Sequence, residues 1–124
     1  MKIAIAQLNI RSGQIDHNLN SMKQKIDQAV LDQADIIVFP EMCVGGYLLS
    51  DLFLQKSYIS QLLKANDLIK SWSKDIGIIW GNISHFDELK GNRDGRYNRY
   101  NTAFFAYQGE WVKKENNHLN GHYF

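Results

Sequence analysis

The sequence predicts an α/β protein with the element order β-α-β-α-β-β-β, and three observations support this. An apolar strand from Ile36 to Phe39 stops at Pro40, which has no N–H for a strand ladder. A helical pattern separates this strand from an earlier one, so the two form a βαβ unit with parallel strands. Near the end of the chain, Gln108-Gly109 separates two strand-like stretches, which indicates a tight hairpin turn.

The first strand is predicted over Lys2 to Leu8, where apolar and polar residues alternate. A helix follows, and Asp16 or Asn18 is expected to cap its N-terminus. Its apolar residues recur every three or four positions and form one buried face: Leu19, Met22, Ile26, Ala29 and Val30.

The second half of the chain predicts one helix and three strands. The strands are expected at Ile78 to Ile83, Asn101 to Tyr107 and Glu110 to Lys114, and the polar stretch from His85 to Arg99 as an exposed loop. Nothing after the fifth strand covers its edge, which suggests missing chain or a partner, including a second copy. The helix has apolar residues at alternating spacings of four and three: Tyr58, Leu62, Ala65, Ile69 and Trp72.

Composition limits the possible functions. At 124 residues the chain is at most one domain, 1–124, and 44% hydrophobic residues can build a real core. A net charge of +1 gives no bulk attraction to nucleic acid or to a membrane, and the longest apolar run is too short to span a bilayer. The lone Cys43 cannot form an internal disulfide, and no signal peptide is recognisable, so a cytoplasmic location is expected.

Glu41 is the main candidate for a functional residue. It follows Pro40 directly and is therefore held at the carboxyl end of an apolar strand, where open α/β sheets bind their ligands. A carboxylate there, partly shielded from water, can act as a general base. The alternative, from position alone, is a surface glutamate that merely starts a loop.

The other candidates have simpler explanations. Cys43 is predicted to be a small buried hydrophobe, because Pro40 argues against a continuing strand that would align its side chain with Glu41. Gly45-Gly46 lacks the residues of a phosphate-binding loop and is predicted to be a turn. The four histidines are scattered, so no metal site is expected.

Several motifs together resemble the nitrilase, or carbon–nitrogen hydrolase, superfamily. Phe39-Pro40-Glu41 resembles its first catalytic motif, and Tyr100-Asn101-Thr102-Ala103 resembles one of its strands. Gly81 and Gly109 also fall at family positions. Two further segments resemble the glutaminase domain of glutamine-dependent NAD synthetases: Ala6-Gln7-Leu8-Asn9 with Gly13, Ile15 and Asn18, and Gly46-Tyr47 followed by Asp51-Leu52.

This resemblance implies the N-terminal part of an α-β-β-α sandwich that carries a Glu-Lys-Cys triad. In the family the cysteine thiolate attacks a carboxamide, the glutamate moves protons, and the lysine stabilises the tetrahedral oxygen. Carried over, Glu41 is the general base and Tyr47 lines a pocket for glutamine or another small amide. No cofactor is implied for this half, and ATP and Mg are expected only on a separate synthetase domain.

The chain departs from the family pattern at the lysine and at the cysteine. The family lysine lies three residues before a leucine, but Asn116 stands three residues before Leu119. Lys113 and Lys114 are close by, and Lys114 is taken as the candidate oxyanion lysine although its position does not match. The family cysteine lies further downstream than Phe124, so this chain alone is expected to be inactive. A non-catalytic association module and a fragment of a stand-alone amidase or nitrilase are the alternatives.

Overall fold

The structure is a computed structural model, and it describes residues 1–46, 56–88 and 97–117. It confirms the predicted order of five strands and two helices. Residues 47–55, which include the Asp51-Leu52 part of the family resemblance, lie outside the described residues. The elements are β1 (Ile3–Ile5), α1 (Ile15–Leu31), β2 (Ile36–Val38), α2 (Lys56–Ser71), β3 (Gly77–Glu88), β4 (Tyr97–Tyr107) and β5 (Glu110–Asn117).

The strands form one mixed sheet in the order β1-β2-β3-β4-β5. β1, β2 and β3 are parallel, as predicted for the βαβ unit, and β4 and β5 are added by antiparallel pairing. Both helical connections advance through the sheet in the same direction, so crossovers of the usual hand place α1 and α2 on the same face. In agreement, the Lys23 ammonium of α1 lies 6.0 Å from the Trp72 ring centroid, just after α2.

The core lies between this helical layer and the sheet. Alternate residues of each strand face the helices, and Ile37, Ile78 and Ala106 stand in register across three strands and are buried. The helices contribute most of the residues predicted from their periodicity, among them Met22, Ile26, Leu62 and Ile69, all buried. The prediction was wrong for Val30, which is 37% exposed near the end of α1. Neither helix in this part of the chain is long and apolar enough to cross a bilayer.

The opposite face of the sheet is apolar and is not covered by a second layer among the described residues. Ile5 is 79% exposed and Ile3 is 55% exposed, although strand β1 is rich in apolar residues. In register with Ile5 stand Val38, Ile79 and Phe105, which are only partly buried. We refer to these residues, together with Ile36, as the open sheet face.

The start of α1 differs from the prediction. Its N-cap is Gln14, which makes no side-chain capping hydrogen bond, and both Asp16 and Asn18 lie inside the helix. Asn18 does not cap the helix because its side chain is directed into the protein and is 1% exposed. Its amide instead bonds two loops, as described below.

The predicted loop from His85 to Arg99 was too long. β3 continues to Glu88 and β4 begins at Tyr97, with Glu88 and Tyr97 in register. Backbone hydrogen bonds hold such a ladder together whatever the side chains, so a polar sequence did not prevent it. The hairpin at Gln108-Gly109 is confirmed, and both residues have positive φ, +54° and +75°, as a type I′ turn requires.

Candidate active site

The segment that carries Glu41 leaves β2 and continues along β3. The Phe39 N–H donates to the Ile79 carbonyl at 2.8 Å, and the Cys43 N–H donates to the Gly81 carbonyl at 3.2 Å. The regular ladder with β3 is interrupted between these two bonds. The site therefore lies at the carboxyl ends of the parallel strands, as predicted for Glu41.

Gly81 allows this segment to lie directly on the sheet. A Cβ atom at Gly81 would lie 2.8 Å from the Glu41 Cα and 2.8 Å from the Met42 backbone nitrogen. Only glycine leaves room for a backbone at that distance. Met42 itself has φ of +51°, a left-handed conformation that a side chain of its size rarely adopts, and its side chain is fully buried.

The Glu41 side chain is exposed, which contradicts the expected shielding from water. Gly81 lies on the sheet face opposite the helices, because its neighbours Trp80 and Asn82 both face α2. Glu41 lies over that face, which the described residues do not cover with a second layer. The Asn101 Nδ2 group of β4 donates a hydrogen bond to Glu41 Oε1.

The turn after Glu41 is held from the other side by Asn18 of α1. The Asn18 Nδ2 group donates to the Val44 carbonyl at 2.7 Å and to the Arg11 carbonyl at 2.9 Å, while its Oδ1 accepts from the Arg11 N–H at 2.8 Å. The Gly13 N–H also donates to the Gly45 carbonyl at 2.9 Å. The loop after β1 and the turn after Glu41 are thus joined by a buried amide.

Cys43 is buried on the helix side, as predicted, and is fully inaccessible. Its Sγ lies 3.7 Å from the Met22 sulfur of α1 and 3.6 Å from the Gly81 carbonyl. Burial raises the pKa of the Cys43 thiol from 9.0 to about 12. At neutral pH the thiol is therefore almost entirely protonated, and a nucleophilic role would require the thiolate.

We expect Cys43 to react with a disulfide reagent such as DTNB at least about 10²-fold more slowly in the folded chain than in urea, because burial and the raised pKa both suppress the thiolate. Equal rates would contradict this placement.

The raised pKa of Cys43 also has a consequence for the stability of the fold. An unfolded thiol ionises near 9.0 and the folded one near 12, so above pH 9.0 the unfolded state holds fewer protons. The free energy of unfolding should therefore fall as the pH rises from 9.0 to about 12, and it should fall less in Cys43→Ala.

The other predicted site residues are located only in part. Tyr47 lies outside the described residues. On β5, Lys114 stands opposite Phe104 of β4, and Lys113 stands opposite Phe105. The side chains of both lysines lie outside the described part of the structure. Within the described ranges, no three His, Cys, Asp or Glu side chains gather as metal ligands would.

Three residues that shape the site were not assigned to it from the sequence: Gly81, Asn101 and Asn18, of which Asn18 was expected only to cap α1. Each belonged to a motif that resembled the family, which was the available signal. What they do depends on contacts between residues far apart in the chain, such as the 60-residue separation of Glu41 and Asn101. Periodicity and local motifs do not contain that information.

Comparison with known proteins gives the same result as the motifs. The carbon–nitrogen hydrolase family profile matches residues 2–120. Glutamine-dependent NAD(+) synthetase of Acinetobacter baylyi is 32% identical over 117 residues, which are 94% of this chain and 20% of that protein. The Synechocystis enzyme of the same name is 30% identical and matches 90% of this chain over 20% of its own length.

Comparison with solved structures also finds proteins of similar fold. The glutamine-dependent NAD+ synthetase of Acinetobacter baumannii, in complex with ADP, superposes with a TM-score of 0.72 at 31% identity, covering 92% of this chain and 20% of that one. An amidase from Nesterenkonia sp. superposes with a TM-score of 0.76 at 24% identity, covering 94% of this chain and 42% of that one, which shows a shared fold. The chain thus spans about a fifth of its NAD synthetase relatives. It belongs to the carbon–nitrogen hydrolase family.

Proposed function

We propose that this chain is the N-terminal portion of a glutamine amidohydrolase domain, in which Glu41 is the general base. The observation that carries the proposal is the placement of Glu41. It stands at the carboxyl end of β2, its backbone lies against Gly81, and its carboxylate accepts a hydrogen bond from the buried Asn101. The similarity to glutamine-dependent NAD synthetases over nearly the whole chain supports glutamine as the amide.

In the proposed reaction Glu41 accepts the proton of a cysteine thiol as the sulfur attacks the carboxamide carbon. Collapse of the tetrahedral intermediate breaks the C–N bond, and Glu41 returns the proton to the departing ammonia. A thioester remains. Glu41 then takes a proton from water as the water attacks the thioester, and the thiol leaves with that proton, giving glutamate. A lysine ammonium stabilises the negative oxygen in both tetrahedral states; Lys114 is the candidate for this role.

The proposal assigns the nucleophile to residues outside these 124. Cys43 is the sole cysteine of the sequence, and it is buried beside Met22 on the helix side, while Glu41 lies over the opposite face. The pKa of Cys43, raised by burial to about 12, opposes thiolate formation. Because Glu41 is exposed, the proposal also needs further chain over the open sheet face to exclude water from the site.

The test is ammonia release from glutamine by the purified chain. We expect no hydrolysis above that of Cys43→Ala, because neither protein contains an accessible thiol and loss of a triad nucleophile costs on the order of 10³-fold or more in rate. Robust hydrolysis that is lost in Cys43→Ala would overturn both the assignment of the nucleophile and the placement of Cys43.

A second candidate function is association without catalysis, and the open sheet face favours it. Ile5 is 79% exposed on the edge strand β1, and the partly buried Val38 and Ile79 continue the apolar surface. A contiguous apolar surface on a sheet is typical of an interface. In this reading two copies of the chain pack through their open sheet faces.

Sedimentation measurements separate this candidate from the first. If two copies associate through the open sheet face, Ile5→Lys should shift the chain toward the monomer, because a charge would be buried in the contact. Leu31→Lys is the matched control, since Leu31 is 77% exposed but lies at the end of α1, away from that face. A clean monomer at high concentration, or equal effects of both variants, would count against association through this face.

A further inference from the structure

We infer that Asn101 is a positioning residue for the carboxylate of Glu41. This inference rests on the proposed function, because positioning matters only if Glu41 transfers protons. The contact that supports it joins two residues 60 positions apart: Asn101 Nδ2 of β4 donates to Glu41 Oε1. The donor is a neutral amide, and the acceptor is a carboxylate that is itself exposed.

The two partners differ in how firmly they are held. Asn101 is 5% exposed and lies within a paired strand, opposite Ile83 on β3 and Asn117 on β5. Glu41 has an exposed side chain with three rotatable bonds, and such a side chain samples many rotamers unless something fixes it. The buried amide of Asn101 therefore sets the position of the exposed carboxylate, and not the reverse.

The backbone beneath Glu41 is fixed independently of Asn101. Gly81 allows the chain to approach β3 closely, and the Cys43 N–H, two residues after Glu41, donates to the Gly81 carbonyl. With the main chain fixed, the remaining freedom of Glu41 lies in its side chain, and Asn101 restrains that side chain. A general base must lie within hydrogen-bond reach of the proton it accepts, so a shift of about 1 Å lowers the rate.

An amide suits this task better than a charged donor. A lysine or arginine at position 101 would form an ion pair with Glu41 and oppose its protonation during the reaction. The amide of Asn101 does not titrate, so it can keep its hydrogen bond while Glu41 gains and loses a proton. The bond is stronger when the acceptor is ionised, which makes the amide resonance a reporter of the charge on Glu41.

The test uses NMR on the 124-residue chain and requires no enzymatic activity. We expect the Asn101 side-chain amide resonances to shift with pH, and Glu41→Gln to abolish that pH dependence. Glu41 is exposed, so this substitution should not disturb folding. The internal control is Asn66, another buried amide, whose Nδ2 donates to the neutral Ile83 carbonyl at 3.0 Å and which should not respond to Glu41→Gln.

A second variant tests positioning itself. In Asn101→Leu the donor is lost at similar volume, and the three-bond couplings of the Glu41 side chain should change toward rotamer-averaged values. If that variant does not fold, the titration of the unmodified chain still decides. An Asn101 amide that shows no pH dependence, or one that persists in Glu41→Gln, would overturn the inference. If the titration is as expected but the proposed role of Glu41 as general base is refuted, the contact between Asn101 and Glu41 stands and only the catalytic role of Glu41 is lost.

Discussion

Replacement of Gly81 by alanine is expected to lower the free energy of unfolding by about 2–3 kcal/mol, the upper range for inserting atoms into a packed site. The added Cβ would lie 2.8 Å from the Glu41 Cα and from the Met42 nitrogen, and both are backbone atoms. A backbone cannot rotate away as a side chain can. Met42 is already in a left-handed conformation, so the segment has little freedom to move.

Gly77→Ala is the matched control, on the same strand and the same face. Its Cβ would meet side-chain atoms first, Phe105 Cε1 at 3.1 Å and Ile36 Cγ1 at 3.2 Å, and these can move by a few tenths of an ångström. We expect its destabilisation to be clearly the smaller of the two in urea unfolding, analysed by linear extrapolation. Equal losses for both variants would contradict the close contact between Glu41 and β3.

Replacement of Asn66 by alanine is expected to cost about 3 kcal/mol or more of stability, because it leaves several buried polar groups without partners. Asn66 Oδ1 accepts from the Trp80 indole N–H at 3.0 Å and from Asn82 Nδ2 at 2.9 Å, and its Nδ2 donates to the Ile83 carbonyl at 3.0 Å. Asn66 is 6% exposed, and Trp80 and Asn82 are buried still deeper.

Asp67→Ala serves as the comparison, since Asp67 is the next residue of α2 and is exposed. Its replacement should change stability by about 0.5 kcal/mol or less, as is usual for surface positions. The near-ultraviolet circular dichroism of Asn66→Ala should also change, because Trp80 stacks on Phe104 with ring centroids 5.2 Å apart. If Asn66→Ala is as stable as Asp67→Ala, this hydrogen-bond network does not hold α2 to the sheet.

The features that the sequence predicted well are those governed by local chemistry. Pro40 ends β2 because it has no N–H, so the position of Glu41 at a strand end followed directly. The parallel pairing of β1 and β2 followed from the short helical connection, and the turn at Gln108-Gly109 from its glycine, which tolerates positive φ. The burial of Cys43 agreed with the usual environment of a free cysteine.

The features that it predicted poorly depend on distant residues. Asn18 is a typical capping residue, but here its side chain is buried. Its amide forms hydrogen bonds to two loops at once, and these satisfy more of its donors and acceptors than a helix end would. The lengths of β3 and β4 were underestimated because hydrogen bonds to a neighbouring strand, and not apolar side chains, hold a strand in a sheet.

The exposure of Glu41 has a similar explanation. The prediction of a shielded carboxylate assumed that both faces of the sheet are covered, as in an α-β-β-α sandwich. The described residues cover one face, with α1 and α2, and Glu41 lies over the other. Whether a side chain is shielded depends on the layer above it, which a strand-end motif does not specify.

The most direct test of the central claim transfers residues 2–120 into the equivalent segment of the Acinetobacter baylyi relative and measures ammonia release from glutamine. We expect an active chimera in which Glu41→Gln lowers kcat by about 10²–10⁴-fold, the usual contribution of a general base, while Cys43→Ala retains activity. A folded chimera without activity, or one in which Glu41→Gln is as active as the parent, would contradict the assignment of Glu41 as the base.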